Sequence, residues 1–129
     1  VPHRNEFSET VGYSISGPNK SALYLPDIDS WVDWEENIID YIRRHDIAFL
    51  DGTFYNKSEI NNRNIEKIPH PSILDSIKEF SLLDIIDRKK VNFTHLNHTN
   101  NVLRKESEER KFVLDNGYNI AEDGSVYLI

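Results

Sequence analysis

Carboxylates and imidazoles stand where this chain's apolar runs stop. "ALYLPD" ends at Asp27, "IAFLD" at Asp51 and "VNFTH" at His95, while His70 opens "HPSILDSIKEF" and His3 precedes the first β-like run. Imidazole is the commonest metal ligand and the usual proton carrier near neutral pH. Imidazoles with carboxylates, in a chain that has no cysteine, suit zinc, manganese or iron. The densest stretch is "FTHLNHTN" (93–100), which brings His95, Asn97, His98 and Asn100 to one turn. Plainer readings compete for each residue. Asp27 and Asp29 suit helix caps, as does His70 before a proline. His3 suits a solvated terminal residue, and His45 a cation at a helix end. Asn97, His98 and Asn100 suit a turn. Common position at strand ends, where α/β folds place their sites, favours the chemical reading.

The elements that must hold these residues follow from periodicity. "TVGYSISG" (10–17) and "SALYLPD" (21–27) read as strands joined at "PNK". "DSWVDWEENIIDYIRRH" (29–45) reads as a helix capped by Asp29 or Ser30, with Trp31, Trp34, Ile38, Tyr41 and Ile42 as its stripe. "IAFLDGTFY" (47–55) begins as a buried strand and breaks at Gly52; residues 56–69 are polar and loop-like. A second helix spans 70–83 with Pro71 in its first turn, and "KVNFTHL" (90–96) is a strand. A third helix covers 106–116 and stops at Asn116-Gly117, and "YNIAEDGSVYLI" (118–129) reads as a hairpin about Asp123-Gly124. Strands alternating with helices define an α/β layered domain with a mixed sheet and flanking helices.

Composition narrows the partners. The chain has 129 residues, one domain's length without an internal boundary, and carries a net charge of −7. That charge argues against nucleic acid as the main partner. No apolar run reaches membrane-spanning length and no signal-peptide pattern opens the chain, so a cytoplasmic protein is expected.

The order "VPHR", "VGYSISG", "SALYLPD", "FLDGTF", "HPS", "FTHLNHTN" resembles the second half of the metallo-β-lactamase fold, and within it the branch of pyrroloquinoline quinone biosynthesis protein B. The resemblance covers nearly the whole chain. It implies the C-terminal half of an αβ/βα four-layer sandwich with two divalent metal ions at its edge. Zinc is the first expectation, with manganese or iron as alternatives. By that match His3 completes one metal's ligands, Asp27 bridges both, and His95 is the last ligand of the second. His98 stands where the biosynthetic branch has asparagine, so His98 and Asn97 become candidates for supporting a ligand from behind. "LDGTF" and "HPS" resemble "HEATF" and "HST" of the tRNA 3′-processing endonucleases, which casts Asp51 as the orienter of a general acid, His70. Here Asp replaces Glu and Pro replaces Ser.

The resemblance implies a metal-dependent hydrolase in which a metal-activated water attacks an ester, amide or phosphodiester of a small-molecule substrate. Iron-dependent oxygen chemistry in cofactor biosynthesis on the same site is one alternative. A non-catalytic α/β interaction module is the other. The family's HxHxDH motif does not occur among the five histidines. The chain is therefore expected to be a fragment whose partner is the N-terminal half of its own domain. Alone it is expected to be inactive and to self-associate through the uncovered sheet.

Overall fold

The computed structural model describes residues 1–4, 7, 9–59 and 70–129. Part of the polar stretch read as a loop, residues 60–69, lies outside them. The chain first forms a hairpin: Gly17 N–H donates to Lys20 O at 2.9 Å, closing β1 (Tyr13–Ser16) antiparallel on β2 (Ser21–Leu25). Three further strands then add in parallel, each beside the last: β3 (Ile47–Asp51), β4 (Val91–Thr94) and β5 (Asn119–Ile120). The result is a mixed five-stranded sheet in the order β1-β2-β3-β4-β5.

Helices fill the crossovers. α1 (Ile38–Arg44) joins β2 to β3, α2 (Ile73–Glu79) and α3 (Ile85–Arg88) lie between β3 and β4, and α4 (Glu108–Asp115) leads into β5. Right-handed crossovers that all advance in one direction leave every helix on the same face. Burial agrees. Leu23, Leu25, Ala48, Leu50, Val91 and Phe93 alternate onto that face and pack with Ile42, Ile73, Phe80 and Val113 in one buried cluster. The other face carries Tyr13, Tyr24 and Phe49 in register, and both tyrosines are exposed. One sheet and one helical layer amount to two of the four layers of the expected sandwich.

Several boundaries differ from the periodic reading. The first helix begins at Ile38, because the Asn37 side chain caps it by accepting from Ile39 N at 2.9 Å. Upstream, the Ser30 hydroxyl accepts from Asp33 N at 3.2 Å, a local turn that competes with helix. Pro71 lies outside α2, whose cap is Ser72 in a reciprocal box with Asp75. The residues after Gly124 form no hairpin with β5. They cross the uncovered face instead: Tyr127 packs edge-on against Phe49 at 4.9 Å, and the backbone of Ile129 lies where a Cβ on Gly17 would sit. His45, expected at a helix end, is the C-cap of α1. It is buried, its Nδ1–H donates to Tyr41 O at 2.7 Å and its Nε2 meets the Ser14 hydroxyl at 2.5 Å. No helix among the described residues is long and apolar enough to cross a membrane.

Candidate metal centre

Parallel strands bring their C-terminal ends to one edge, so Asp27, Asp51 and His95 are delivered there together. Asp51, the last residue of β3, is fully buried. A carboxylate survives burial only if its lone pairs are occupied. Oδ2 accepts from Ile28 N at 3.1 Å and from His70 Nδ1 at 2.7 Å. Oδ1 accepts from Thr53 N at 2.9 Å and from the Thr53 hydroxyl at 2.8 Å. Gly52 makes this turn possible, since a Cβ there would come within 2.8 Å of the Phe93 Cβ.

His70 and His95 both sit on left-handed backbone, with φ of 86° and 59°. For a residue with a Cβ that conformation costs about 1–2 kcal/mol. Such cost is tolerated where the surroundings over-determine the geometry. Here they do. His70 is held by Asp51, and His95 Nδ1 meets the Thr53 hydroxyl at 3.1 Å. Ligand-type atoms of Asp27, Asp51, His70 and His95 all lie within 4.8 Å of one another. His3 adjoins this group through Asp27: its Nε2 is 3.4 Å from Asp27 Oδ1 and 3.9 Å from Asp29 Oδ1. Asp27 Oδ1 also lies 3.5 Å from His70 Nδ1.

The donors fit a divalent cation on one specific observation. Asp27 Oδ1 is buried between two imidazoles and accepts no hydrogen bond; Asp29 Oδ1 and His3 Nδ1 are likewise buried without one. Buried polar atoms in native proteins are nearly always partnered, and a bound ion is one recognised reason for an exception. Asp51 differs from its neighbours here, because four donors already use its oxygens. It is held by backbone and hydroxyl donors and in turn holds the His70 ring.

Sequence reasoning missed Thr53. Its hydroxyl also lies 3.4 Å from His70 Nδ1, so one side chain touches the whole cluster except Asp27. The signal was present in "DGT", where a carboxylate two residues ahead can bond the threonine backbone. The asparagines of "HLNHTN" have structural work. Asn100 is buried and donates to Gly52 O at 2.9 Å, and Asn97 N–H donates to Thr53 O at 3.0 Å. Both hold the turn against the end of β3. Asn97 also lines a cleft beside His95. The His98 side chain is exposed and stands outside the four-residue group.

Burial of the His70 ring works against its charged form, but the hydrogen bond and charge of Asp51, with the charge of Asp27, outweigh it. The ring's pKa is held above its ordinary 6.5. A raised folded value means this interaction stabilises fully below 6.5 and loses its effect as pH rises through the folded value. In the presence of a chelator, the stability gap between wild type and His70→Asn is therefore expected to shrink from about pH 5 to pH 9 in urea titrations. A gap that widens with pH contradicts the assignment.

Two clefts flank the cluster. One of about 700 Å3 is lined by His95, Asn97, Leu103, Lys105, Arg110 and Glu122; one of about 730 Å3 is lined by His70, Asp29, Trp31, Asp75 and Lys78.

No protein-family model matches the chain. It is similar to coenzyme PQQ synthesis protein B of Gluconobacter oxydans (strain 621H), 26% identical over 124 residues, which cover 92% of this chain and 40% of that protein. The protein of the same name from Cupriavidus taiwanensis is 26% identical over 129 residues, 95% of this chain and 41% of that one. The crystal structure of Zn(2+)-bound PqqB from Methylobacterium extorquens matches with a TM-score of 0.72 at 23% identity, over 91% of this chain and 43% of that one. This chain thus has part of the metallo-β-lactamase fold, and it spans about two-fifths of the length of the curated relatives it matches.

Proposed function

We propose that this chain, as a homologue of PqqB, supplies His3, Asp27 and His95 as ligands to a two-metal hydrolase centre, with His70 as its general acid. The observation that carries the reading is the buried Asp27 oxygen, held between His3 and His70 without a hydrogen bond. A bound divalent ion, zinc first, supplies a Lewis acid and an acidified water. The residues do the rest. Asp27 presents its carboxylate where two ions can share it. Asp51 fixes His70 through Nδ1 and favours the protonated ring, the form that can deliver a proton to a leaving group. The substrate is a small molecule bound in a cleft beside His95 or His70.

The remaining ligands come from the part of the domain that this chain does not match. The helix-free sheet face, exposed at Tyr13 and Tyr24, is the surface on which that layer packs. The name shared by the relatives favours a second reading, in which the same ligands serve cofactor synthesis through oxygen chemistry on iron.

Metal analysis after dialysis tests both readings. The 129-residue chain is expected to lose its zinc, and a longer chain that adds the missing layer to hold about two ions. His95→Ala in the longer chain abolishes stoichiometric binding. Retention of two ions by the 129 residues as a monomer overturns the proposal. Loading with iron but not zinc under anaerobic conditions selects the second reading.

A further inference from the structure

We propose that Thr53 is a positioning residue that sets the proton pattern of His95, so that Nε2 is the nitrogen of that ring left to bind metal, while Asp51, which Thr53 also holds, fixes a proton on Nδ1 of His70. The inference rests on the metal reading above.

The argument is a count of protons. Thr53 has one hydroxyl proton, and Oγ1 stands 2.8 Å from Asp51 Oδ1, 3.1 Å from His95 Nδ1 and 3.4 Å from His70 Nδ1. An ionised carboxylate only accepts, so the proton is committed to Asp51. The contact with His95 can then be a hydrogen bond only if Nδ1–H of His95 donates to Oγ1. The same carboxylate accepts from His70 at 2.7 Å, which places a proton on that ring's Nδ1 as well. A neutral imidazole protonated at Nδ1 has its lone pair at Nε2. One hydroxyl therefore links two rings through a shared carboxylate. Thr53 is itself buried, while the His95 ring that it meets is exposed at the cleft. Its backbone is fixed too: Thr53 N–H binds Asp51 Oδ1, and Thr53 O accepts from Asn97 N and Asn100 Nδ2.

A structural role predicts only a change in stability. A positioning role predicts a change in tautomer. The decisive measurement is long-range 15N–1H correlation of the ring nitrogens in the metal-free chain at alkaline pH, with His95→Asn and His70→Asn used to assign signals. Wild type and Thr53→Ser are expected to show His95 as the Nδ1–H form, and Thr53→Val to shift it toward Nε2–H. Zinc affinity of the longer chain that adds the missing layer, read by competition with a chromophoric chelator, is expected to fall about 10- to 100-fold in Thr53→Val, while Thr53→Ser retains it. An Nε2–H signal for His95 in wild type overturns the proposal by itself, even if Thr53→Val does not fold. An unchanged tautomer in a folded Thr53→Val overturns it too. Failure of the metal reading looks different. In that case the tautomer shifts with Thr53 as expected, but added zinc moves no Nε2 resonance of His95 in the longer chain, whichever residue stands at position 53.

Discussion

Replacing Asp51 by alanine is expected to destabilise the chain by about 3–5 kcal/mol, the cost of removing one partner from a buried charged network. The change strands four donors at once: the amides of Ile28 and Thr53, the Thr53 hydroxyl and Nδ1 of His70. Because Asp51 is fully buried, water does not replace it. Asparagine is a poor substitute despite its shape. Its carbonyl oxygen could still accept from Thr53, but its amide would then face the N–H groups of Ile28 and His70, donor against donor. His70 could escape only by moving its proton to Nε2. Asp51→Asn is thus expected to fold less stably than wild type and, under the proposed function, to lose the acid role of His70. Urea unfolding with far-ultraviolet circular dichroism checks the first claim. A variant with an unchanged midpoint would show that these bonds are not what holds the turn after β3.

The second large effect is expected from Trp31→Ala, at about 3–5 kcal/mol for an aromatic truncated in a core. Trp31 is buried, its ring lies 5.7 Å from that of Phe80, and its indole N–H donates to the buried hydroxyl of Ser76 at 2.9 Å. It belongs to no helix or strand, yet it pins the segment before α1 onto α2. Trp31→Phe separates the contributions in part: it keeps an aromatic ring and removes the donor with the second ring, so a smaller loss of about 1–3 kcal/mol is expected. If Trp31→Ala and Trp31→Phe cost the same, packing contributes little at this position.

Trp31 also shows where sequence reasoning succeeded and where it stopped. Its burial was legible because a large apolar ring belongs in a core. Its conformation was not, because Trp31, Trp34, Ile38 and Ile42 match a helical period while local side-chain bonds from Ser30 and Asn37 decide otherwise. The same divide runs through the site. Strand ends at Asp27, Asp51 and His95 follow from where apolar runs stop, so their arrival at one edge could be anticipated once the strands were taken as parallel. Thr53 could not be anticipated that way. Its importance comes from a hydroxyl that reaches residues 17 and 42 positions away. The tail was misread for a related reason. Asp123-Gly124 does turn, but the segment beyond it sets Tyr127 on Phe49 and does not pair with β5. Periodicity reports what a segment prefers locally and is silent about which distant surface it meets.

The left-handed backbone at His70 and His95 has a consequence for how this sequence would change over time. Glycine occupies such conformations without steric penalty and asparagine with little. At these two positions the imidazole is therefore not the residue that folding alone would choose. A lineage that no longer needed the site would drift there first, toward Gly or Asn, while Asp51 persisted for its hydrogen bonds. A laboratory selection for heat tolerance alone would follow the same route. Histidine at both positions thus carries a backbone cost that the fold alone does not call for.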